Sequence, residues 1–267
     1  MTDPSPDPYV VSVRDAAVAR LTLNRGAGRN ALGLPMIKAL HAALTAAGAD
    51  DAARVVVIAA NGPAFCAGHD LKEMTARRAD PDKGEGYFRE LFDACAALMQ
   101  AIVTLPKPVI AQVHGVATAA GCQLVASCDL AVAASDARFA TPGVNIGLFC
   151  STPMVALSRN VGRKGAMEML LTGEMIDAAE ARRLGLINRI AAPDALEAET
   201  LALARLIAEK PRGAVKIGKE AFYRQAEMPL ADAYAYAAEV MTRNMLGAEA
   251  EEGIGAFVGK RAPNWPG

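Results

Sequence analysis

Three short segments of this chain are apolar along almost their whole length instead of at every second position: 54–60 (RVVVIAA), 109–113 (VIAQV) and 130–134 (LAVAA). Strands with one wet face alternate, so runs of this kind belong to strands covered on both faces. The intervening segments change period. Pro35 opens an Ala/Leu-rich helix to about Gly48, with Pro near its start and Gly near its end. Phe88, Leu91, Phe92, Cys95, Leu98, Met99 and Ile102 then recur at helical spacing, and a small-residue helix begins at about Ala119. Strand, helix and strand in turn predict an α/β core with a largely parallel sheet.

A hairpin is expected ahead of this core, with residues 9–13 and 18–23 turning at Arg14-Asp15. Beyond about Asp194 strand patterning stops, and helices are expected over 201–209, 214–225, 230–244 and 249–258. The chain thus divides, on its sequence, into a core of residues 1–193 and a helical region of residues 194–267. Helices with spare apolar faces pack on a core or on a neighbouring subunit.

The 267 residues include 52% hydrophobic and 21% charged side chains, with Lys+Arg 28 against Asp+Glu 29. A net charge of −1 supplies no field to hold a polyanionic duplex, which argues against nucleic-acid binding. High apolar content argues against disorder. Residues 109–134 could pass for a membrane span, but they carry His114, Gln123 and Asp129 and are interrupted by Gly115 and Gly121. A buried strand–turn–helix–strand is the better reading, with no membrane span. Five scattered cysteines (Cys66, Cys95, Cys122, Cys128 and Cys150) show no close pair of metal-binding or redox spacing. They predict reduced, buried thiols and no metal site. Together with a polar, Pro-rich start lacking a secretory leader, they point to a cytoplasmic protein.

Two segments have the composition of a ligand-binding backbone. The first is Ala64-Phe65-Cys66-Ala67-Gly68-His69-Asp70-Leu71, after a buried strand and before a helix, where small residues let a ligand approach main-chain N–H groups. Read as a plain turn, it would use Asp70 only as a helix cap. The second is Gly115-Val116-Ala117-Thr118-Ala119-Ala120-Gly121-Cys122-Gln123, opening a helix whose first N–H groups lack intrahelical partners. Close helix–sheet packing is the blander role for its small residues. Both together suggest two backbone donors converging on one carbonyl.

At these residues the chain resembles the enoyl-CoA hydratase/isomerase (crotonase) superfamily. The likeness includes Arg29-Asn30-Ala31-Leu32, Phe65-Cys66-Ala67-Gly68-His69-Asp70-Leu71, Lys107-Pro108-Val109-Ile110-Ala111, Gly121-Cys122-Gln123-Leu124 and Cys128-Asp129-Leu130. It continues through Leu171-Thr172-Gly173-Glu174 to Glu252-Gly253-Ile254, Ala256-Phe257, Lys260-Arg261 and Pro263. More narrowly, residues 120–129 and 140–150 look like the subgroup called enoyl-CoA hydratase domain-containing protein 3. The resemblance implies an α/β, crotonase-like spiral of ββα units with a C-terminal helical trimerisation region, assembled as a homotrimer or a dimer of trimers. It implies an acyl-CoA thioester as substrate, with coenzyme A as part of it and no permanently bound cofactor. Carried over by position, the oxyanion hole would be the N–H groups of His69 and Ala120. CoA would lie along Arg29, Ala31, Ala67, Gly68 and His69, with Phe257 and Lys260 near the nucleotide.

The family's two acid–base glutamates fall at Gln123 and Gly143. A carboxamide is not basic at neutral pH and glycine has no side chain, so ordinary hydration loses its proton carriers. Each such loss costs about 10²–10⁴ in rate. His69 is the sharpest replacement, an imidazole titrating near neutrality within the hole itself. An acyl-CoA decarboxylase of the superfamily also has histidine here, which keeps decarboxylase and thioesterase readings open beside a hydratase-like lyase and a non-catalytic acyl-CoA-binding regulator. Asn145, two residues past the missing glutamate, is a candidate for holding water or substrate. Asp129 is expected to cap a helix or fix a turn, and His114 to be a satisfied core residue.

Overall fold

The computed structural model describes residues 7–266, so most of the polar, Pro-rich start lies outside the described residues. Strands β1 (Val10–Asp15) and β2 (Val18–Leu23) pair antiparallel. Pairing of Asp15 with Val18 leaves Ala16 and Ala17 as the turn, with Ala16 at φ 50°, so the turn lies two residues beyond Arg14-Asp15. From β2 the sheet continues in parallel through β3 (Val55–Ala60), β4 (Val109–Val113), β6 (Leu130–Ala134) and β9 (Arg189–Ala191), in the order β1-β2-β3-β4-β6-β9. A second sheet joins β5 (Val116–Thr118), β7 (Arg138–Ala140) and β8 (Ile176–Asp177).

Helices α1 (Leu34–Ala49), α3 (Glu85–Thr104) and α4 (Ala120–Ser127) pack together, with α2 (Leu71–Arg77) against α3. Pro lies in the first turn of α1, where its missing N–H costs nothing. Leu91, Cys95, Leu98, Met99 and Ile102 form the buried face of α3. The outer layer is completed by α5 (Ser151–Asn160), α6 (Arg163–Thr172), α7 (Ala178–Leu184) and α8 (Leu196–Ala208). Helix α8, which the sequence groups with the later helices, lies on β2, β3, β4 and β6 through Leu196, Thr200, Leu203 and Ala204. Strand β3 is therefore covered on both sides, as its apolar run requires.

The remaining helices, α9 (Arg212–Ala226), α10 (Leu230–Met245) and α11 (Ala248–Val258), leave much apolar surface open, including Leu230, Tyr234, Met241, Phe257 and Val258. Asp129 is one of the groups that tie α9 to the core, beside the Arg212–Asp51 pair and the Lys219 bonds to Ile102 O and Lys107 O. The Asp129 carboxylate accepts from Lys219 Nζ at 2.7 Å, Tyr223 Oη at 2.9 Å and the Val109 N–H at 2.6 Å. Burial pushes the Asp129 carboxyl up and the Lys219 amine down, while their contact opposes both shifts. Asp129 thus does more than fix a local turn. It anchors a helix 90 residues away.

All five cysteines are buried and free. Burial pushes Cys66, Cys95 and Cys122 up to about 12, which keeps them as inert thiols. Among the described residues no helix is long and apolar enough to cross a membrane, and no cluster of His, Cys, Asp and Glu could hold a metal.

Candidate active site

The segment after β3 runs as an extended strap between two neighbours. On one side Cys66 N–H donates to Val116 O at 3.1 Å and Thr118 N–H to Cys66 O at 3.0 Å. On the other, Ala67 N–H donates to Arg29 O at 3.0 Å and Leu32 N–H to Gly68 O at 2.7 Å. Asn30, fully buried, fixes the outer neighbour. Its Nδ2 donates to Asn61 O and Ala64 O, both at 2.8 Å, and its Oδ1 accepts from Arg25 N–H at 2.8 Å. The backbones of Arg29, Ala31, Ala67 and Gly68 are thereby engaged with one another or with the adjoining turn.

Gly68 shows how tightly the strap meets the α4 entrance. At φ +92° a Cβ there would stand 2.9 Å from Ala119 Cβ, 3.0 Å from Thr118 O and 3.5 Å from the Ala120 nitrogen. Gly121 makes the reciprocal approach, since its Cβ would fall 2.2 Å from Cys66 O. Between them Ala119 takes φ 51°, ψ −117°, a conformation a side-chain-bearing residue holds only when its surroundings enforce it. Its N–H is secured by Ala140 O at 2.9 Å, and its carbonyl takes the first helical bond from Gln123 N–H. The turn leaves Ala120 N–H free. Among the described residues neither the His69 nor the Ala120 N–H has a hydrogen-bond partner.

Buried polar side chains surround this pair. His69 Nδ1 lies 3.0 Å from Leu32 O, which can only accept, so Nδ1 carries the proton. Its Nε2 is buried with no partner. Burial pulls its pKa below the ordinary value and the Leu32 carbonyl opposes this, so the ring is neutral at pH 7 with its free lone pair at Nε2. Phe92 of α3 meets the ring edge-on, centroids 5.4 Å apart. Phe92 also lines an open groove of about 500 Å³ with Phe88, Asp82, Lys83, Glu85 and Arg89. Thr141, which follows the residue that secures Ala119, is buried with its Oγ1 unpartnered.

Gln123 lies on α4, buried, with Oε1 4.0 Å from Cys95 Sγ. Gly143 is buried as well, and its N–H points at Cys150 Sγ, 3.3 Å away. A Cβ at Gly143 would meet Leu148 O at 2.7 Å and that sulfur at 2.9 Å. The structure therefore brings Ala67, Gly68, His69 and Ala120 together, with Gln123 on the helix that Ala120 opens. It does not bring in Asn145, which is exposed and reaches Gly173 O at 3.4 Å as a loop anchor. Phe257 and Lys260 stand at the end of α11, which packs on α9 and α10. Asp70 caps α2 through Lys72 and Glu73 N–H, and His114 Nε2 lies 2.8 Å from Gly62 O.

Asn30, Phe92 and Thr141 also shape the site without having been marked for it by the sequence. Asn30 lies within Arg29-Asn30-Ala31-Leu32, and an amide side chain between two turns was its one signal. Phe92 shows locally only as part of the apolar stripe of α3, and nothing local marks Thr141.

Comparison with known proteins bears on the whole chain. A family profile described as enoyl-CoA hydratase/isomerase matches residues 13–267. The enoyl-CoA hydratase domain-containing protein 3, mitochondrial, of Xenopus laevis is 47% identical over 258 residues, covering 97% of this chain and 86% of that protein. A crystal structure of an enoyl-CoA hydratase from Mycobacterium smegmatis is 55% identical with TM-score 0.92, covering 97% of this chain and 99% of the other. The human enoyl-CoA hydratase domain-containing protein 3 structure is 44% identical with TM-score 0.91, covering 96% and 100%. The cytoplasmic expectation is overturned by these comparisons, because the Xenopus and human relatives are named mitochondrial. Reduced, buried thiols do not distinguish one compartment from the other. With a profile match and backbones that agree nearly from end to end, the chain belongs to the enoyl-CoA hydratase/isomerase family, the crotonases.

Proposed function

We propose that this chain binds an acyl-CoA thioester and polarises its carbonyl with the His69 and Ala120 N–H groups, stabilising an enolate in acyl-CoA metabolism. The observation that carries this reading is the unpartnered pair of N–H groups flanking the Gly68–Ala120 contact. Main-chain donors held fixed by the fold need no reorganisation as negative charge develops on the oxygen. The pantetheine and nucleotide would lie along Arg29, Ala31 and Ala67, with Phe257 and Lys260 contributed by a neighbouring copy. The exposed apolar faces of α10 and α11, and of Leu148, Phe149 and Val155, suit a homotrimer or a dimer of trimers.

The activity expected is hydratase-like but altered. Gln123 can orient a water or the thioester without moving a proton, and Gly143 contributes only its backbone. A second reading, decarboxylation or thioester hydrolysis, is favoured by His69, whose buried Nε2 is free to accept a proton or hold a polar group at the acyl α-carbon.

The test is turnover of short, medium and aromatic enoyl-CoAs, with malonyl-type thioesters alongside. Ala120→Pro removes one donor at a position where a helix tolerates proline, and a folded variant is expected to lose about 10²–10³ in kcat. Wild-type rates in that variant would sink the donor assignment. Thermal stabilisation by acyl-CoA without turnover of any of them would leave a binding protein.

A further inference from the structure

Helix α11 ends in an unusual way. Gly259 has an ordinary right-handed φ of −76°, and the left-handed position falls one residue later, on Lys260 at φ 54°. Arg261 N–H then reaches back to Ala256 O at 3.0 Å and closes the turn. A left-handed C-terminal position ordinarily goes to glycine, and a residue with a side chain keeps it only where the surroundings enforce it.

The segment that follows this turn is gripped by Glu252, two turns earlier on the same helix. One of its oxygens accepts from Arg261 Nη1 at 2.6 Å and the other from Nη2 at 2.7 Å, a bidentate fork. The first oxygen also accepts from Asn264 N–H at 2.6 Å. These contacts hold the Glu252 carboxyl far below its ordinary range, at about 2. The returning segment ends with Trp265 over Gly253, where a Cβ would come within 3.0 Å of the indole. Glu252, Gly253 and Ala256 are thus taken up by this fold-back, while Phe257 and Lys260 are left exposed.

We infer that Glu252 is a positioning residue for the nucleotide end of the bound thioester, because its clamp on Arg261 and Asn264 fixes the turn that presents Lys260. The inference rests on the reading above that Lys260 and Phe257 meet the nucleotide. It deepens that reading by naming the group that orders the contact before any ligand arrives.

Trp265 is the sole tryptophan, so its emission and anisotropy report on the fold-back alone. Glu252→Ala, Arg261→Lys and Lys260→Ala are compared by that signal and by titration calorimetry with CoA and with butyryl-pantetheine, which lacks the nucleotide. Far-UV circular dichroism and elution volume confirm fold and assembly. In Glu252→Ala, Trp265 emission shifts to the red and loses anisotropy. CoA binding weakens roughly three- to tenfold, the cost of ordering a freed lysine on binding, while butyryl-pantetheine binding is unchanged. Arg261→Lys keeps the charge without the fork and falls between the two, which keeps the test open if Glu252→Ala misfolds. Lys260→Ala weakens CoA binding with Trp265 still docked. If Glu252→Ala and Arg261→Lys bind CoA as the wild type does while Lys260→Ala does not, the clamp inference is overturned and the nucleotide contact stands. If Lys260→Ala also binds normally, the contact falls and the inference with it. Equal weakening toward butyryl-pantetheine overturns the inference too, since general disruption would then explain the loss.

Discussion

Replacing Gly68 by alanine tests the meeting of the two backbone segments directly. The new methyl would stand 2.9 Å from Ala119 Cβ and 3.0 Å from Thr118 O, and the backbone would have to keep φ +92°. An L-residue at such a φ costs about 1–2 kcal/mol. Overfilling a packed site adds about 1–3 kcal/mol, and neither neighbour is the free end of a flexible side chain. The sum, roughly 2–5 kcal/mol, is a large share of the 5–15 kcal/mol or so that holds a typical domain folded. It corresponds to a Tm lower by roughly 5–15 °C. The functional consequence is separable. Because the methyl also comes within 3.5 Å of the Ala120 nitrogen, relief of the clash moves one donor relative to the other. Wild-type protein should bind an acyl-CoA more tightly than the matching S-alkyl thioether, which has no carbonyl. Two net hydrogen bonds are worth about 1–3 kcal/mol together, or roughly 5- to 150-fold. In Gly68→Ala that preference should shrink toward unity. A variant within about 0.5 kcal/mol of wild-type stability, with the thioester preference intact, would refute both the crowding and the donor geometry.

Two further outcomes are expected. Restoring carboxylates with Gln123→Glu/Gly143→Glu should not restore crotonyl-CoA hydration and should lower stability by about 1–3 kcal/mol, because Leu148 O and Cys150 Sγ occupy the space at 143. Adding Cys150→Gly should recover only the sulfur's share, and full recovery of stability and rate would show that the loop yields freely. His69 has a folded pKa depressed by burial, so below about pH 6.5 the unfolded chain binds a proton that the folded chain resists. Urea midpoints should therefore fall as pH drops from 7 toward 5, and His69→Gln should flatten that slope, whereas an unchanged slope would mean the ring is solvated.

Parts of the molecule were legible because the chain repeats their physics locally. Residues 55–60 read as a doubly covered strand since five of the six are fully buried, and no polar face interrupts the run. The hairpin was legible but its turn was not, because Arg14 and Asp15 have turn-like chemistry while Ala16 and Ala17 do not. Strands of two or three residues such as β5, β7 and β8 carry too little pattern to show a period. In the site, small residues in two segments pointed to exposed backbone, but the His69 tautomer depends on Leu32, 37 residues earlier. Asn145 was drawn in by its nearness to position 143, yet chain neighbours on a tight turn face different ways. The Gly143–Cys150 contact depends on how one seven-residue loop closes, and the Asp129–Lys219 pair exists only once segments 90 residues apart meet.

Because Ala120 is already alanine, a conventional alanine scan would register the crowding at Gly68 and Gly121 and yet pass over the Ala120 donor itself. A grip made by main-chain N–H groups survives the exchange of the side chains around it. Probing it calls for changes in the main chain itself, such as proline or an ester in place of the amide.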